Sequence, residues 1–154
     1  MSIDLSITIS PTVLKTEVPT KTECLAWFKA ALPAHITQAE VTLKIVDIEE
    51  GALLNQQYRN KSGPTNVLSF PYHMPGQTKD LLLGDLVICA ALVVNEALAQ
   101  HKAIKAHWAH LVVHGALHLL GYDHIKKEEA EIMEGLEINI LEKLGFPSPY
   151  GDMA

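Results

Sequence analysis

His114-Gly115-Ala116-Leu117-His118-Leu119-Leu120-Gly121-Tyr122-Asp123-His124 sets two histidines four residues apart in an apolar, helix-favouring run, followed by a glycine and a third histidine. Side chains at i and i+4 share one face of a helix, so His114 and His118 point the same way. Two imidazoles so placed can hold one metal ion at about 2.0–2.1 Å each, and a third ligand leaves a position open for water. His107 and His110 fall on the same helical stripe at about 100° per residue. His110 and His118, however, stand about 12 Å apart along the axis. One ion cannot join three imidazoles strung along that line, so the third ligand has to come from chain that folds back. Gly121 supplies a left-handed helix cap, and His124 lies just beyond it. Spacing therefore selects His114, His118 and His124 as the ligand set. A lone histidine in an apolar helix is more often a hydrogen-bonded core residue, which is the reading taken for His107, with His110 as packing or support for a ligand.

Working outward from that stretch, residues 104–120 read as one long apolar helix. Residues 126 or 127 to 144 form the last helix, with Ile132, Leu136, Ile140 and Leu144 at core spacing and Gly145 and Pro147 ending it. The short tail is expected to fray. Upstream, residues 90–101 are helical, and residues 81–89 are a strand interrupted by Gly84-Asp85. Residues 72–80 are a surface loop, and residues 67–70 a short strand closed by Pro71. Residues 60–64 carry turn chemistry (Asn, Lys, Ser, Gly, Pro). Residues 47–58 are a helix opened by acidic side chains, with Leu53, Leu54 and Gln57 near one face. Residues 41–46 and 3–9 alternate apolar and polar with period two, as half-buried strands do. Residues 20–32 are a helix capped by Thr20 or Thr22, lined by Leu25, Phe28 and Leu32 and stopped by Pro33. Strands come early, helices dominate late, and a hairpin-like pair flanks the loop at 72–80. The expected class is α+β: a small mixed sheet of about four strands packed with about five helices, in one domain over residues 1–154.

Composition narrows the function. The 48% hydrophobic content over 154 residues suits one globular domain with a real core. The longest apolar run, residues 86–94, is too short to span a bilayer, and the N-terminus lacks the pattern of a signal peptide. Cys24 and Cys89 belong to no motif and read as buried thiols in a reducing cytosol. The net charge of −6 argues against holding nucleic acid by bulk charge. RNA would need a local patch, or a larger particle with contacts of its own. Arg59 is the single arginine in the chain, and arginine is the usual bidentate phosphate clamp. By spacing alone, a helix-end cation is an equal reading of it.

The histidine spacing resembles that of the metzincin metalloproteases, H-E-x-x-H-x-x-G-x-x-H. Gly115 stands where those enzymes carry their general-base glutamate. The ion cage is kept and the group that activates the protease water is not. The stretch from His110 to His124 is similar to the signature of the bacterial YbeY family of metal-dependent endoribonucleases. So are Tyr58-Arg59-Asn60-Lys61, the run from Pro64 to Pro71 that contains Thr65-Asn66-Val67-Leu68-Ser69-Phe70, and Gly84-Asp85-Leu86-Val87-Ile88. These pieces recur in the family's order from about residue 55 to 145, over half the chain. Asn66 departs from the aspartate usual in the family, which removes a charge near the Arg59 loop.

The resemblance implies a sheet packed with helices, one Zn²⁺-type ion on His114, His118 and His124, and hydrolysis of single-stranded RNA. It implies maturation of 16S ribosomal RNA, especially its 3′ end, and late ribosome quality control, with ribosomal RNA and ribosomal particles as cytoplasmic partners. Three imidazoles suit zinc, and copper, nickel and iron accept them too. An ion there would lower the pKa of a bound water, while Arg59 clamps the scissile phosphate. Asp123 could orient an imidazole or cap the last helix. Tyr122 reads as packing, and Asp85 as a kink or edge residue. The general base is unassigned. Attack by water would leave a 5′-phosphate, and attack by the RNA 2′-hydroxyl a cyclic phosphate. The alternatives are another metal-dependent hydrolase and a non-catalytic ribosome-assembly factor with a structural metal.

Overall fold

The hairpin expected around residues 72–80 forms and supplies the sheet's one antiparallel pair. The computed structural model describes residues 2–61, 63 and 65–150. Ser62 and Pro64 of the expected turn, and the tail past residue 150, lie outside the described residues. Strands β1 (Ser2–Ile9), β2 (Gln38–Val46), β3 (Val67–Tyr72) and β4 (Leu81–Cys89) form one sheet in the order β1-β2-β4-β3. β1 pairs with β2 and β2 with β4 in parallel, whereas β3 runs antiparallel to β4. Helices α1 (Lys21–Ala31), α2 (Ile48–Arg59), α3 (Ala90–Ala99), α4 (Ile104–Leu119) and α5 (Lys127–Lys143) complete the α+β fold.

Local chemistry sets these boundaries. Thr20 caps α1 in a reciprocal box: its hydroxyl accepts from the Glu23 N–H, and the Glu23 carboxylate accepts from the Thr20 N–H. Asp47 caps α2 through the Glu50 N–H at 2.8 Å. α4 ends in the two bonds of a Schellman turn, Gly121 N–H to the His118 carbonyl and Tyr122 N–H to the Leu117 carbonyl, both 3.0 Å. Gly121 adopts φ +103 there, a conformation closed to most side chains.

Several sequence expectations are corrected. β3 continues through Pro71. It is an edge strand, so the missing proline N–H leaves no gap in the sheet's interior. β4 is unbroken across Gly84-Asp85 and is buried along nearly its whole length, because helices cover both of its faces. One face, with Leu43, Ile45, Leu86 and Ile88, packs under α1 and α4 around Phe28, Trp108, Val112 and Met133. The other buries Val87 and Cys89 with Val46 and Leu68 against Leu54 of α2. The buried side of α1 is Cys24, Trp27, Phe28 and Ala31, one step round from the expected stripe. In α2 the buried residues are Gly51 and Asn55, and Leu53 is 69% exposed. In α5 they are Met133, Glu137 and Leu141; of the expected stripe Leu136, Ile140 and Leu144 pack against the core, while Ile132 is 60% exposed. The expected fraying does not apply to residues 146–150: Phe146 packs edge-on against Trp27 at 6.0 Å. Both cysteines are free and buried, and burial pushes the Cys24 thiol up to about 12.

α4 reaches its depth through two glycines. A β-carbon on Gly115 would meet Leu86 Cδ2 at 2.8 Å, and one on Gly84 would meet Leu119 Cδ2 at 2.6 Å and the Phe70 carbonyl oxygen at 3.2 Å. At each contact a glycine on one element receives a leucine side chain from the other, Leu86 against Gly115 and Leu119 against Gly84. Gly115→Val should therefore cost about 1–3 kcal/mol of unfolding free energy by overpacking, read as a lower urea midpoint. An unchanged midpoint would mean that Leu86 has room the close contact denies it.

Candidate metal centre

α4 carries a polar stripe along the edge of an otherwise buried helix. His110, His114 and His118 are half-buried on it, while Trp108, Leu111, Val112, Ala116 and Leu117 fill the core. The Schellman turn at Gly121 reverses the chain and brings the exposed His124 back over the last turn. The rings of His114 and His118 are 4.6 Å apart, and His124 lies 5.4 Å from the first and 5.0 Å from the second. One ring nitrogen from each falls within 4.8 Å of the other two. Nε2 of His114 and Nε2 of His118 stand 3.1 Å apart. Two ligands on one tetrahedral ion at about 2.0–2.1 Å would be separated by about 3.3 Å, so the donor set fits a metal ion. Burial, followed by repulsion from His114 and His124, holds His118 below the usual imidazole range. That favours the neutral form a ligand requires.

The three histidines line a cleft of about 630 Å³. Arg59 and Lys61 line it from the end of α2, and Thr65, Asn66 and Ser69 from the segment entering β3. The Arg59 loop is anchored locally. Asn60 takes a left-handed conformation (φ 53), and the buried Asn55 donates from Nδ2 to the Gly63 carbonyl at 2.8 Å. Arg59 is exposed and makes no ion pair among the described residues. It and the histidines therefore line the same cleft from different elements.

Asp123 is the one carboxylate among the described cleft residues. It accepts from the His124 backbone N–H at 2.7 Å, and its Oδ1 lies 3.7 Å from His124 Nδ1. It does not cap α5, whose N-cap is Lys126 without a side-chain bond. Tyr122 lines the cleft and is partly exposed, so it is not core packing. Asp85 is outside the cleft and accepts from the Tyr72 hydroxyl. Asn66, at the position of the family aspartate, donates from Nδ2 to Glu96 Oε1 at 3.1 Å, and the same oxygen meets His107 Nε2 at 2.9 Å. An aspartate there would set carboxylate against carboxylate.

Sequence reading missed Glu137. It sits in the buried stripe of α5, with Oε2 2.7 Å from His110 Nε2 and 3.1 Å from His114 Nδ1. Burial would raise this carboxyl, but the bonds to the two histidines outweigh it and hold it at about 2. A signal was present: Met133, Glu137 and Leu141 are spaced four apart, which put a charge in an apolar stripe.

Comparison with known proteins now adds to this geometry. The family model described as endoribonuclease YbeY matches residues 12–145. This chain belongs to the YbeY endoribonuclease family. As a YbeY-family chain, it acts on RNA, and its histidine cluster could hold a metal ion. The solution structure of TM1509 from Thermotoga maritima is similar over 92% of this chain and 91% of that one, with a TM-score of 0.55 and 24% identity. That likeness concerns the fold. No described helix is long and apolar enough to cross a membrane.

Binding of an ion to the folded state alone raises stability by mass action, by about 2.7 kcal/mol at a hundredfold excess over Kd. Added Zn²⁺ should raise the melting temperature of the wild type and leave His118→Ala unmoved. The gain should shrink as pH falls below the imidazole range, because protons compete for the ligand nitrogens. An equal Zn²⁺ response in His118→Ala would remove His118 from the ligand set.

Proposed function

We propose that this chain is a single-strand-specific endoribonuclease that matures ribosomal RNA, cutting near the 3′ end of 16S precursors and acting in late ribosome quality control. In this reading residues 1–154 act as one catalytic domain in the cytoplasm on ribosomal particles, with one Zn²⁺ ion held by His114, His118 and His124. The observation that carries it is that one cleft is lined both by three convergent imidazoles and by the chain's single arginine. Such an ion supplies Lewis acidity towards water and a phosphoryl oxygen. The remaining work belongs to the chain. Arg59 offers two parallel N–H donors to the scissile phosphate and meets the charge that grows in the transition state. Lys61, beside it, adds a second cation. Together they give the net charge of −6 a local exception where a polyanion must lie.

Gly115 explains why the reaction is not peptide hydrolysis of the metalloprotease kind. The space a general-base glutamate would need is filled by Leu86. Among the described cleft residues the one carboxylate is Asp123, and its Oδ1 accepts from the His124 N–H. This favours attack by water or by the RNA 2′-hydroxyl with no protein base at position 115. The end groups of the product distinguish the two, as a 5′-phosphate or a cyclic phosphate.

Cleavage of a labelled single-stranded RNA by metal-loaded protein is the direct test. Arg59→Ala should slow it about 10²–10³-fold and change unfolding free energy by no more than about 0.5 kcal/mol. Arg59→Lys should recover only part of the rate, since an ammonium lacks the planar fork. Wild-type cleavage by Arg59→Ala would remove the clamp. Normal 16S 3′ ends in cells lacking the chain would remove the ribosomal role.

A further inference from the structure

We propose that Glu137 and Tyr150 are positioning residues for the metal centre, holding His114 in the tautomer whose Nε2 lone pair faces His118 and His124. This rests on the reading of those three histidines as the ligands. Glu137 is 0% exposed. An ionised carboxylate accepts hydrogen bonds and donates none, so each of its partners has to be a donor. Oε2 accepts from His110 Nε2–H at 2.7 Å and from His114 Nδ1–H at 3.1 Å, and Oε1 accepts from the Tyr150 hydroxyl at 2.8 Å. With its proton on Nδ1, neutral His114 has a bare Nε2. That is the atom 3.1 Å from His118 Nε2.

The cost of the arrangement argues for a purpose. A carboxylate in the Met133–Glu137–Leu141 stripe is expensive to bury, and an apolar residue of similar size would often be as stable or more so. Its bond to a ligand's second nitrogen is what an apolar residue could not supply. Carboxylates in that position fix ring orientation and raise ligand basicity.

Tyr150 reaches Glu137 because the chain turns back after α5. Gly145 (φ +91) closes a second Schellman turn, with Phe146 N–H on the Leu141 carbonyl at 2.9 Å. Phe146 then packs on Trp27, and the Tyr150 ring stands edge-on to His110 at 5.6 Å. The segment after α5 is thereby a strap across the back of the metal centre, and its seating is linked to the state of His114.

The experiment uses the full chain and three readouts: Zn²⁺ affinity by chelator competition, the His114 tautomer in metal-free protein by long-range ¹H–¹⁵N NMR, and the metal-free melting temperature. Wild type should show His114 protonated at Nδ1. Glu137→Gln should weaken Zn²⁺ binding about 10–100-fold and shift His114 away from that tautomer. Tyr150→Phe, which removes one neutral hydrogen bond, should weaken it about 2–10-fold. Glu137→Leu fills the core without a carboxylate. It should keep or raise the metal-free melting temperature while binding Zn²⁺ as poorly as Glu137→Gln, an outcome that a purely structural glutamate would not give. Wild-type affinity in both Glu137 variants, or His114 protonated at Nε2 in metal-free wild type, overturns the proposal. If neither Glu137 variant folds, the wild-type tautomer and Tyr150→Phe decide it, and wild-type affinity in Tyr150→Phe overturns the strap. Wild-type protein that binds no Zn²⁺ defeats the ligand reading instead, and the tautomer measurement still judges the arrangement around Glu137.

Discussion

The contact of α4 with β4 sets the position of every other part of the site. Gly115 lies over Leu86 and Leu119 lies over Gly84, so the helix backbone rests close to the sheet. At that depth most of α4 is buried. A helix sunk this far can carry polar side chains only along one edge, and His110, His114 and His118 occupy it. The same contact ends the helix where Gly121 can reverse the chain, which carries His124 to its partners. A bulkier residue at 84 or 115 would press on the leucine that fills each contact, directly beneath the helix that carries the histidines.

That packing also accounts for the chemistry the site lacks. The metalloprotease pattern shares the histidine spacing but places glutamate after the first histidine. Here that position lies against the sheet, and a β-carbon on it would press on the Leu86 methyl groups. The polar groups that remain face outward into the cleft, and among them the cations Arg59 and Lys61 suit a phosphate better than a peptide.

Charge is distributed with the same economy. The chain is acidic overall, yet the carboxylates nearest the α4 histidines are engaged. Glu137 lies within hydrogen-bond distance of His110 and His114 and accepts from Tyr150, Glu96 meets His107 and accepts from Asn66, and Asp123 accepts from its neighbour's backbone. Asn66 belongs to this pattern. Its amide N–H donates to Glu96, whereas an ionised aspartate could only accept. Asn66 therefore makes a polar contact where an aspartate would make a repulsion.

By itself the sequence determined the elements and the histidine spacing. Period-two alternation, capping residues, glycine stops and the i, i+4 histidines are local signals, read from neighbours along the chain. They placed four strands, five helices and the convergence of His114, His118 and His124 past Gly121. Only the tertiary structure decided which residues those elements bury. Ile132 and Leu53 had the apolar character of core residues and lie at the surface, whereas Glu137 and Asn55 are inside. Burial depends on what packs opposite, and a helix with apolar residues on more than one side does not declare which side wins. The same holds for Gly84, Gly115 and Tyr150. Their roles are contacts between segments far apart in the chain, and periodicity within one segment carries no record of its partner.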